Sequence, residues 1–309
     1  MSDPRSVVIT GASRGLGLAS AGLLYRQGWR VVAAMRSPEA GLERLRAATG
    51  AGPDDPRLIG VRLDLDDHES VAAAAEAITA AVGAPDVLVH NAGIAAAGCV
   101  EEVPMDVWQG MFSTHVLGPV ALTKALLPAM RAAGRGRIIM VSSQGGVRGI
   151  PCIAAYSAAK GAAERWAESM ANEIAPFGLG VTVLVAGTFD TDIITDAGAQ
   201  DLREFEGPYA AHHKTIDRRG RAAMARLAAP PRRFAEGLAR ATRDTAPFAR
   251  RAVGTDARML LLFNRLMPTR VLHQVIRVAM GLPRRGALRL VAATESPKPP
   301  VAKERENLA

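Results

Sequence analysis

Two side chains able to move a proton lie four residues apart in PCIAAYSAAKGAAERW, residues 151–166: the phenol of Tyr156 and the ammonium of Lys160. The run is rich in alanine and reads as a helix, in which positions i and i+4 share one face. Phenol and ammonium are then neighbours. A free tyrosine titrates near ~10, too high for an efficient base at neutrality, and a nearby cation favours the phenolate, so the pair predicts a lowered value for Tyr156. Alone, Tyr-x-x-x-Lys reads equally well as an unremarkable surface pair. Its weight comes from a third group, Ser143 in VSSQGG, which ends an apolar run thirteen residues before Tyr156. A strand end and the next helix can converge at one sheet edge, bringing hydroxyl, phenol and ammonium around a single point.

The elements that must position these groups alternate along the chain. Short apolar runs at 6–10, 29–35, 58–63, 86–90, 136–143 and 179–187 predict strands. Helical spacing fills 14–27, 38–48, 67–82, 104–131 and 153–175, with Asp66 or Asp67 as a cap for the third helix. Strands that are apolar throughout belong to a parallel sheet covered on both faces. The predicted fold is α/β, a Rossmann-type doubly wound parallel sheet, which binds ligands at the carboxyl ends of its strands. Residues 1–255 read as one dinucleotide-binding catalytic domain with a last strand at 248–254. Residues 256–293 read as a helical extension, and 294–309 have the composition of a disordered tail. Residues 190–228 read as polar and mobile, with a helix inside them, and the segment 188–228 is placed to close over a substrate. Phe189, Ile193, Ile194, Phe205 and Tyr209 are candidates to line an apolar pocket there, with ordinary packing as the equal alternative.

TGASRGLG, residues 10–17, follows the first strand and opens a helix. Gly11, Gly15 and Gly17 let backbone approach a pyrophosphate, and the helix N-terminus offers free N–H groups, with Ser13, Arg14 and Leu16 completing the loop. After the second strand an NAD site carries an acidic residue on the ribose. This chain has Arg36 there, and with Arg14 it presents two guanidiniums suited to a 2′-phosphate. The predicted cofactor is NADP, with NAD as the alternative. Asp64 and Leu65 end the third strand, where adenine could meet a carboxylate and a backbone amide. Asn91, Ala92 and Gly93 end the fourth, where glycine permits a tight bend.

The net charge of +8 is unevenly distributed. Residues 1–199 carry 16 Lys+Arg against 20 Asp+Glu, and residues 200–309 carry 22 against 10. The surplus favours an acidic surface, but no stacking or recognition motif accompanies it, so nucleic acid is not an expected partner. Residues 256–289 mix apolar and arginine positions at helical spacing. That pattern fits peripheral membrane contact, with a dimer face or packing on the sheet as the more ordinary reading. No signal peptide is apparent and no uninterrupted apolar run reaches the ~18 residues of a span, which leads to a cytoplasmic expectation. Cys99 and Cys152 lack metal-ligand spacing and suggest no disulfide framework, so no metal site is predicted.

Taken in order, TGASRGLG, Asp64-Leu65, Asn91-Ala92-Gly93, Ser143 and YSAAK resemble the short-chain dehydrogenase/reductase family, over about residues 5–195 and more faintly to 283. The resemblance implies that Tyr156 is the general acid/base, that Ser143 holds the substrate oxygen, and that Lys160 binds nicotinamide ribose and lowers the tyrosine pKa. It places Gly187 and Thr191 beside the nicotinamide. It implies hydride transfer between the nicotinamide and a small-molecule carbonyl or alcohol, in a homodimer or homotetramer. The long C-terminal region is similar to that of members acting on retinol, steroids and other lipophilic alcohols. Two departures stand out. His115 replaces an asparagine that supports a water relay to the lysine, which predicts an added pH dependence near neutrality. Ala186-Gly187 replaces Pro-Gly, which predicts a looser turn. The substitution at 115 also raises the alternative of a catalytically weak NADP-binding sensor or scaffold.

Overall fold

The computed structural model describes residues 4–191 and 199–287. Seven strands form one sheet: β1 (Ser6–Thr10), β2 (Arg30–Met35), β3 (Leu58–Arg62), β4 (Val87–His90), β6 (Gly136–Ser143), β7 (Leu179–Ala186) and β9 (Phe248–Val253). Their order is β3-β2-β1-β4-β6-β7-β9 and every pairing is parallel. The order reverses between β1 and β4, the switch point at which such sheets bind ligands.

Period-two alternation within the apolar strands supplies both faces. Val8, Val32, Leu88, Ile138 and Val181 pack on one side against α3 (His68–Val82), α5 (Gly118–Ala133) and α7 (Ala154–Ile174). Val7, Ile9, Val31, Val89 and Ile139 pack on the other against α1 (Gly15–Arg26), α2 (Pro38–Thr49) and the helix Pro231–Ala241. Asp67 caps α3, accepting from the amides of Glu69 at 2.9 Å and Ser70 at 3.2 Å.

The helix expected over 104–131 is not continuous. It comprises α4 (Met105–Phe112), one wide π turn over Ser113–Leu117, and α5. Pro119 has no N–H for the His115 carbonyl, so the hydrogen-bond ladder must shift at this point. Gly118 lets the turn press against β3's exit: a Cβ there would lie 2.3 Å from the Leu65 carbonyl oxygen. The run Met105–Ala133 is long and apolar enough to cross a membrane, yet Leu122, Leu126 and Met130 are fully buried against the sheet.

A second, two-stranded parallel sheet escaped the sequence reading: β5 (Ala95–Ala97) pairs with β8 (Ala199–Asp201). It is followed by α8 (Ala210–Leu227); α9 is Pro231–Ala241. Arg203 joins β8 to α8 through Asp201 and Asp217. After β9 come α10 (Thr255–Leu266) and α11 (Thr269–Ala279). These two helices bury only Ala257 and Leu272 and leave Met259, Leu262, Leu266, Val271, Val275 and Val278 exposed, so they are not packed face-on against the sheet. Ile193, Ile194 and the tail 294–309 lie outside the described residues.

Candidate active site

Helix α7 carries Tyr156, Lys160 and Glu164 on successive turns of one face. Ser143, the last residue of β6, leads into the short helix α6 (Gln144–Val147), whose Gly145 amide donates to its hydroxyl at 3.4 Å, and its side chain acts on the Tyr156 phenol to lower its pKa. The Lys160 ammonium sits 5.9 Å from the centre of the Tyr156 ring and donates to the Val141 carbonyl at 2.8 Å. The three groups picked out by type and spacing therefore meet at the carboxyl end of β6.

Their protonation differs from expectation. Burial raises the Tyr156 pKa, with the Ser143 side chain opposing it, so the predicted lowering is absent. The lysine's charge is spent on the Val141 carbonyl beside the ring. Burial also brings Lys160 down to about 8, with Glu164 acting in the opposite sense. Glu164 is 2% exposed; it accepts from the Ser142 hydroxyl at 2.6 Å and pairs with Arg250 of β9. The sequence reading missed Glu164 and Arg250. Helical spacing from Lys160 could have found the first; the second depends on a strand 86 residues away.

His115 occupies the π turn, buried edge-on to the Tyr156 ring at 5.5 Å. Its Nε2 lies 2.8 Å from the Ile94 carbonyl, and its Nδ1 is buried without a hydrogen-bond partner. Burial, then the Lys160 charge, hold its pKa near 3. The expected titration near neutrality is thereby moved out of range. Gly93 is also explained differently from its expected bend: a Cβ there would strike His115 Cε1 at 2.7 Å, so glycine makes room for the imidazole. His90, at the end of β4, is held near 3 by the same two causes and pairs through Nε2 with Thr123 at 2.8 Å.

The glycine loop is braced from beneath. Asn91 Nδ2 donates to the carbonyls of Thr10 at 2.9 Å and Gly11 at 3.3 Å, and the amides of Asn91 and Ala92 both donate to Thr10 Oγ1 at 3.0 Å. Gly11 has φ +68°, and a Cβ on it would lie 2.7 Å from Ala92 Cα. On Gly17 a Cβ would lie 2.2 Å from the Gly11 carbonyl oxygen. Helix α1 starts directly after this loop without a side-chain cap, leaving its first amides to a ligand. Arg36 is exposed at the end of β2, and Arg44 of α2, another residue missed in sequence, donates to the Ser13 carbonyl at 3.3 Å. Asp64 accepts the Asp66 amide at 3.2 Å just past β3, and Leu65 is buried behind it.

The turn after β7 is tighter than its missing proline suggested. Asp256, at the start of α10, accepts from the Thr188 amide at 2.7 Å, the Gln144 side chain at 2.9 Å and the Ala257 amide at 2.9 Å. Gly187 is needed there because a Cβ would lie 2.1 Å from Asp256 Oδ1. Thr191, four residues on, packs beside Gly15 of the glycine loop. Phe189 does not line a pocket: it is buried edge-on against Phe234 in the core. Phe205 stacks under Arg203 at the surface, and Tyr209 bonds Glu101. The partly buried apolar side chains that share a cluster with Tyr156 are Ile94, Val107, Trp108, Phe112 and Leu202, packed on buried Val103 and Met111.

Comparison with known proteins agrees with this geometry. The family model described as short chain dehydrogenase matches residues 5–202. A 3-ketodihydrosphingosine reductase from Bacteroides thetaiotaomicron is 34% identical over 208 residues, 67% of this chain and 72% of that protein. The crystal structure of a short-chain dehydrogenase from Streptomyces avermitilis superposes with a TM-score of 0.76 at 31% identity, covering 92% of this chain and all of the other. A metagenomic short-chain oxidoreductase in complex with NADP has a TM-score of 0.61 at 26% identity, over 80% of this chain and 96% of that one. The chain therefore belongs to the short chain dehydrogenase family, whose members carry out NAD(P)-dependent oxidoreduction at alcohol and carbonyl groups.

Proposed function

We propose that this protein interconverts a carbonyl and a secondary alcohol with NADP as hydride carrier and Tyr156 as general acid/base. The observation that carries the reading is the convergence of Ser143 at the end of β6 with Tyr156 and the buried Lys160 on one face of α7. The residues around the glycine loop fit a dinucleotide: backbone approach is kept open at Gly11 and Gly17, where any side chain would collide, and α1 presents uncapped amides. Arg14, Arg36 and Arg44 supply the positive charge that a 2′-phosphate requires. Asn91, Lys160, Gly187 and Thr191 flank the nicotinamide end of the cleft.

The bound nicotinamide supplies or takes up the hydride. Ser143 holds the substrate oxygen against the Tyr156 hydroxyl. In reduction Tyr156 gives its proton to that oxygen; in oxidation it takes one from the alcohol. Burial raises the pKa of the phenol, so the resting site holds the proton that Tyr156 gives in reduction. A lipophilic substrate fits Ile94, Trp108, Phe112 and Leu202 near Tyr156, and it fits the sphingoid ketone named for the Bacteroides relative. Purified protein is assayed with NADPH and NADH against ketones and aldehydes of increasing chain length. Faster NADPH consumption with the longer carbonyls is expected. Cofactor binding with no turnover, unchanged in Tyr156→Phe, would favour a sensor instead.

A second reading concerns α10 and α11. Their exposed Met259, Leu262, Leu266, Val271 and Val275 lie among exposed Arg258, Arg265 and Arg270, the composition of an interfacial helix pair on an anionic bilayer. Flotation with phosphatidylserine-containing vesicles is the expected result. A concentration-dependent dimer that does not float would assign the face to a second copy of the chain.

A further inference from the structure

Four residues that the proposed reaction does not use come together beside the catalytic helix. The Gly98 amide donates to the Cys152 carbonyl at 2.8 Å, and the parallel bridge Gly98–Ile153 aligns the exit of β5 with the loop before α7. This brings Cys99 Sγ to 3.4 Å from Cys152 Sγ. Cys152 takes φ +62°, alone among the described non-glycine residues in that region, so its side chain is held in place by backbone that favours another residue type. His213 of α8 is fully buried with Nδ1 3.8 Å from Cys152 Sγ. Its other nitrogen, Nε2, is 2.6 Å from Glu102 Oε1. Glu102 is itself fixed by the amides of Cys99 at 2.6 Å and Glu204 at 3.2 Å.

The tautomer follows from this arrangement. An ionised carboxylate only accepts hydrogen bonds, so Nε2 carries a hydrogen, and in the neutral imidazole Nδ1 then directs a lone pair toward the sulfurs. A histidine oriented from behind by a carboxylate, with its free nitrogen facing two thiols, is the usual setting of a zinc ligand. The three donor atoms all lie within 4.8 Å of one another. Tetrahedral zinc with bonds of ~2.3 Å to sulfur and ~2.0 Å to nitrogen sets its ligand atoms ~3.5–3.8 Å apart. The triangle closes on an ion with shifts of a few tenths of an ångström to about one ångström. Two thiolates and a neutral imidazole leave Zn²⁺ with no net charge, which suits a buried position, and soft sulfur ligands select zinc over magnesium or calcium.

We propose that Cys99, Cys152 and His213 form a Zn²⁺ site, with Glu102 orienting the histidine. Binding replaces the two S–H protons, which pass to solvent, and needs no oxidant. The fourth coordination position belongs to water. Because the ligands come from the β5 exit, the loop that leads into Tyr156 and helix α8, the ion would pin α8 to the start of the catalytic helix. A disulfide between the two sulfurs would make no use of the imidazole lone pair or of the carboxylate behind it.

The test uses the reduced full chain, stripped with a chelator and titrated with Co²⁺ alone, then Zn²⁺. The expected result is one Co²⁺ per chain with a thiolate-to-cobalt charge-transfer band and tetrahedral d–d bands, lost on adding Zn²⁺. Cys152→Ser or Cys99→Ala should each cut the charge-transfer intensity to about half or less and weaken binding, and the double variant should abolish it. Glu102→Gln should weaken binding roughly 10–100-fold, and His213→Gln, which keeps a donor toward Glu102, should weaken it more. Cys99 is the partly exposed cysteine, so its alanine variant serves if Cys152→Ser does not fold. Absence of the band in the wild-type chain, or its survival at full intensity in Cys99→Ala, would overturn the proposal. So would a Cys99–Cys152 disulfide formed in air by a chain that, when reduced, takes up no Co²⁺. None of these readouts depends on turnover.

Discussion

Replacing Lys160 by methionine isolates the energetic cost of burying the ammonium. Burial lowers its pKa from the ordinary 10.5 to about 8, at 6% exposure. That gap, at 1.36 kcal/mol per pH unit, makes the buried charge cost about 3 kcal/mol at neutral pH. Below pH 8 folded and unfolded chains are both protonated and the whole cost is present. Between about 8 and 10.5 the unfolded chain still holds a proton that the folded chain has released, so stability rises with pH through this window. Methionine does not titrate. Urea unfolding of wild type and Lys160→Met at pH 7, 8, 9 and 10 should therefore show their stability difference moving in favour of wild type by about 2–3 kcal/mol between pH 7 and 10. Most other titrating groups are common to both proteins and cancel, and His90 and His115, which feel the Lys160 charge, titrate well below this range. The variant also loses the bond to the Val141 carbonyl, worth about 1 kcal/mol, and the cation beside Glu164. Those losses displace the whole curve without giving it a slope. A difference that stays constant over the range, or moves the other way, would refute the reasoning.

Four further outcomes follow from the site. Asp256→Ala removes an acceptor shared by three donors around the Gly187–Thr188 turn; it should cost about 1–3 kcal/mol in thermal unfolding and raise the KM for NADPH. Gly93→Ala should destabilise by about 1–3 kcal/mol through collision with His115, and the double variant with His115→Asn should recover most of that loss. His115→Asn alone should leave the shape of the rate–pH profile unchanged from pH 6 to 9, because the imidazole is held near 3. It should also blunt acid unfolding: a depressed histidine contributes a loss of stability as pH falls from 6.5 toward 3. Arg36→Asp should shift preference from NADPH toward NADH by roughly 10–100-fold in kcat/KM, the worth of a hydrogen bond between charged groups.

The sheet was legible because its strands are uninterrupted Val/Ile/Leu runs that only a doubly covered parallel sheet can bury, and Ser143, Tyr156 and Lys160 were legible because strand-end and i,i+4 rules are local. What escaped depends on distant partners or on small departures from regularity. The π turn at His115 needs Pro119 and the close approach of Gly118 to Leu65. The β5–β8 pair is three residues per strand, too short for any periodicity. Asp256 begins the C-terminal helical extension, far along the chain from the turn it secures after the missing proline. The direction of the Tyr156 shift was misjudged because adjacency on a helix does not tell where an ammonium points, and this one points at Val141. Phe189 sits in a segment that reads as a lid, but its ring turns inward to Phe234.

The central claim is that Tyr156 moves the proton in an NADPH-dependent carbonyl reduction. The most direct measurement is single-turnover NADPH oxidation by wild type and Tyr156→Phe with the best carbonyl substrate found, alongside NADPH binding by fluorescence. The account predicts unchanged binding and a loss of roughly 10²–10⁴-fold in rate for the phenylalanine variant. Equal rates in the two proteins would contradict it.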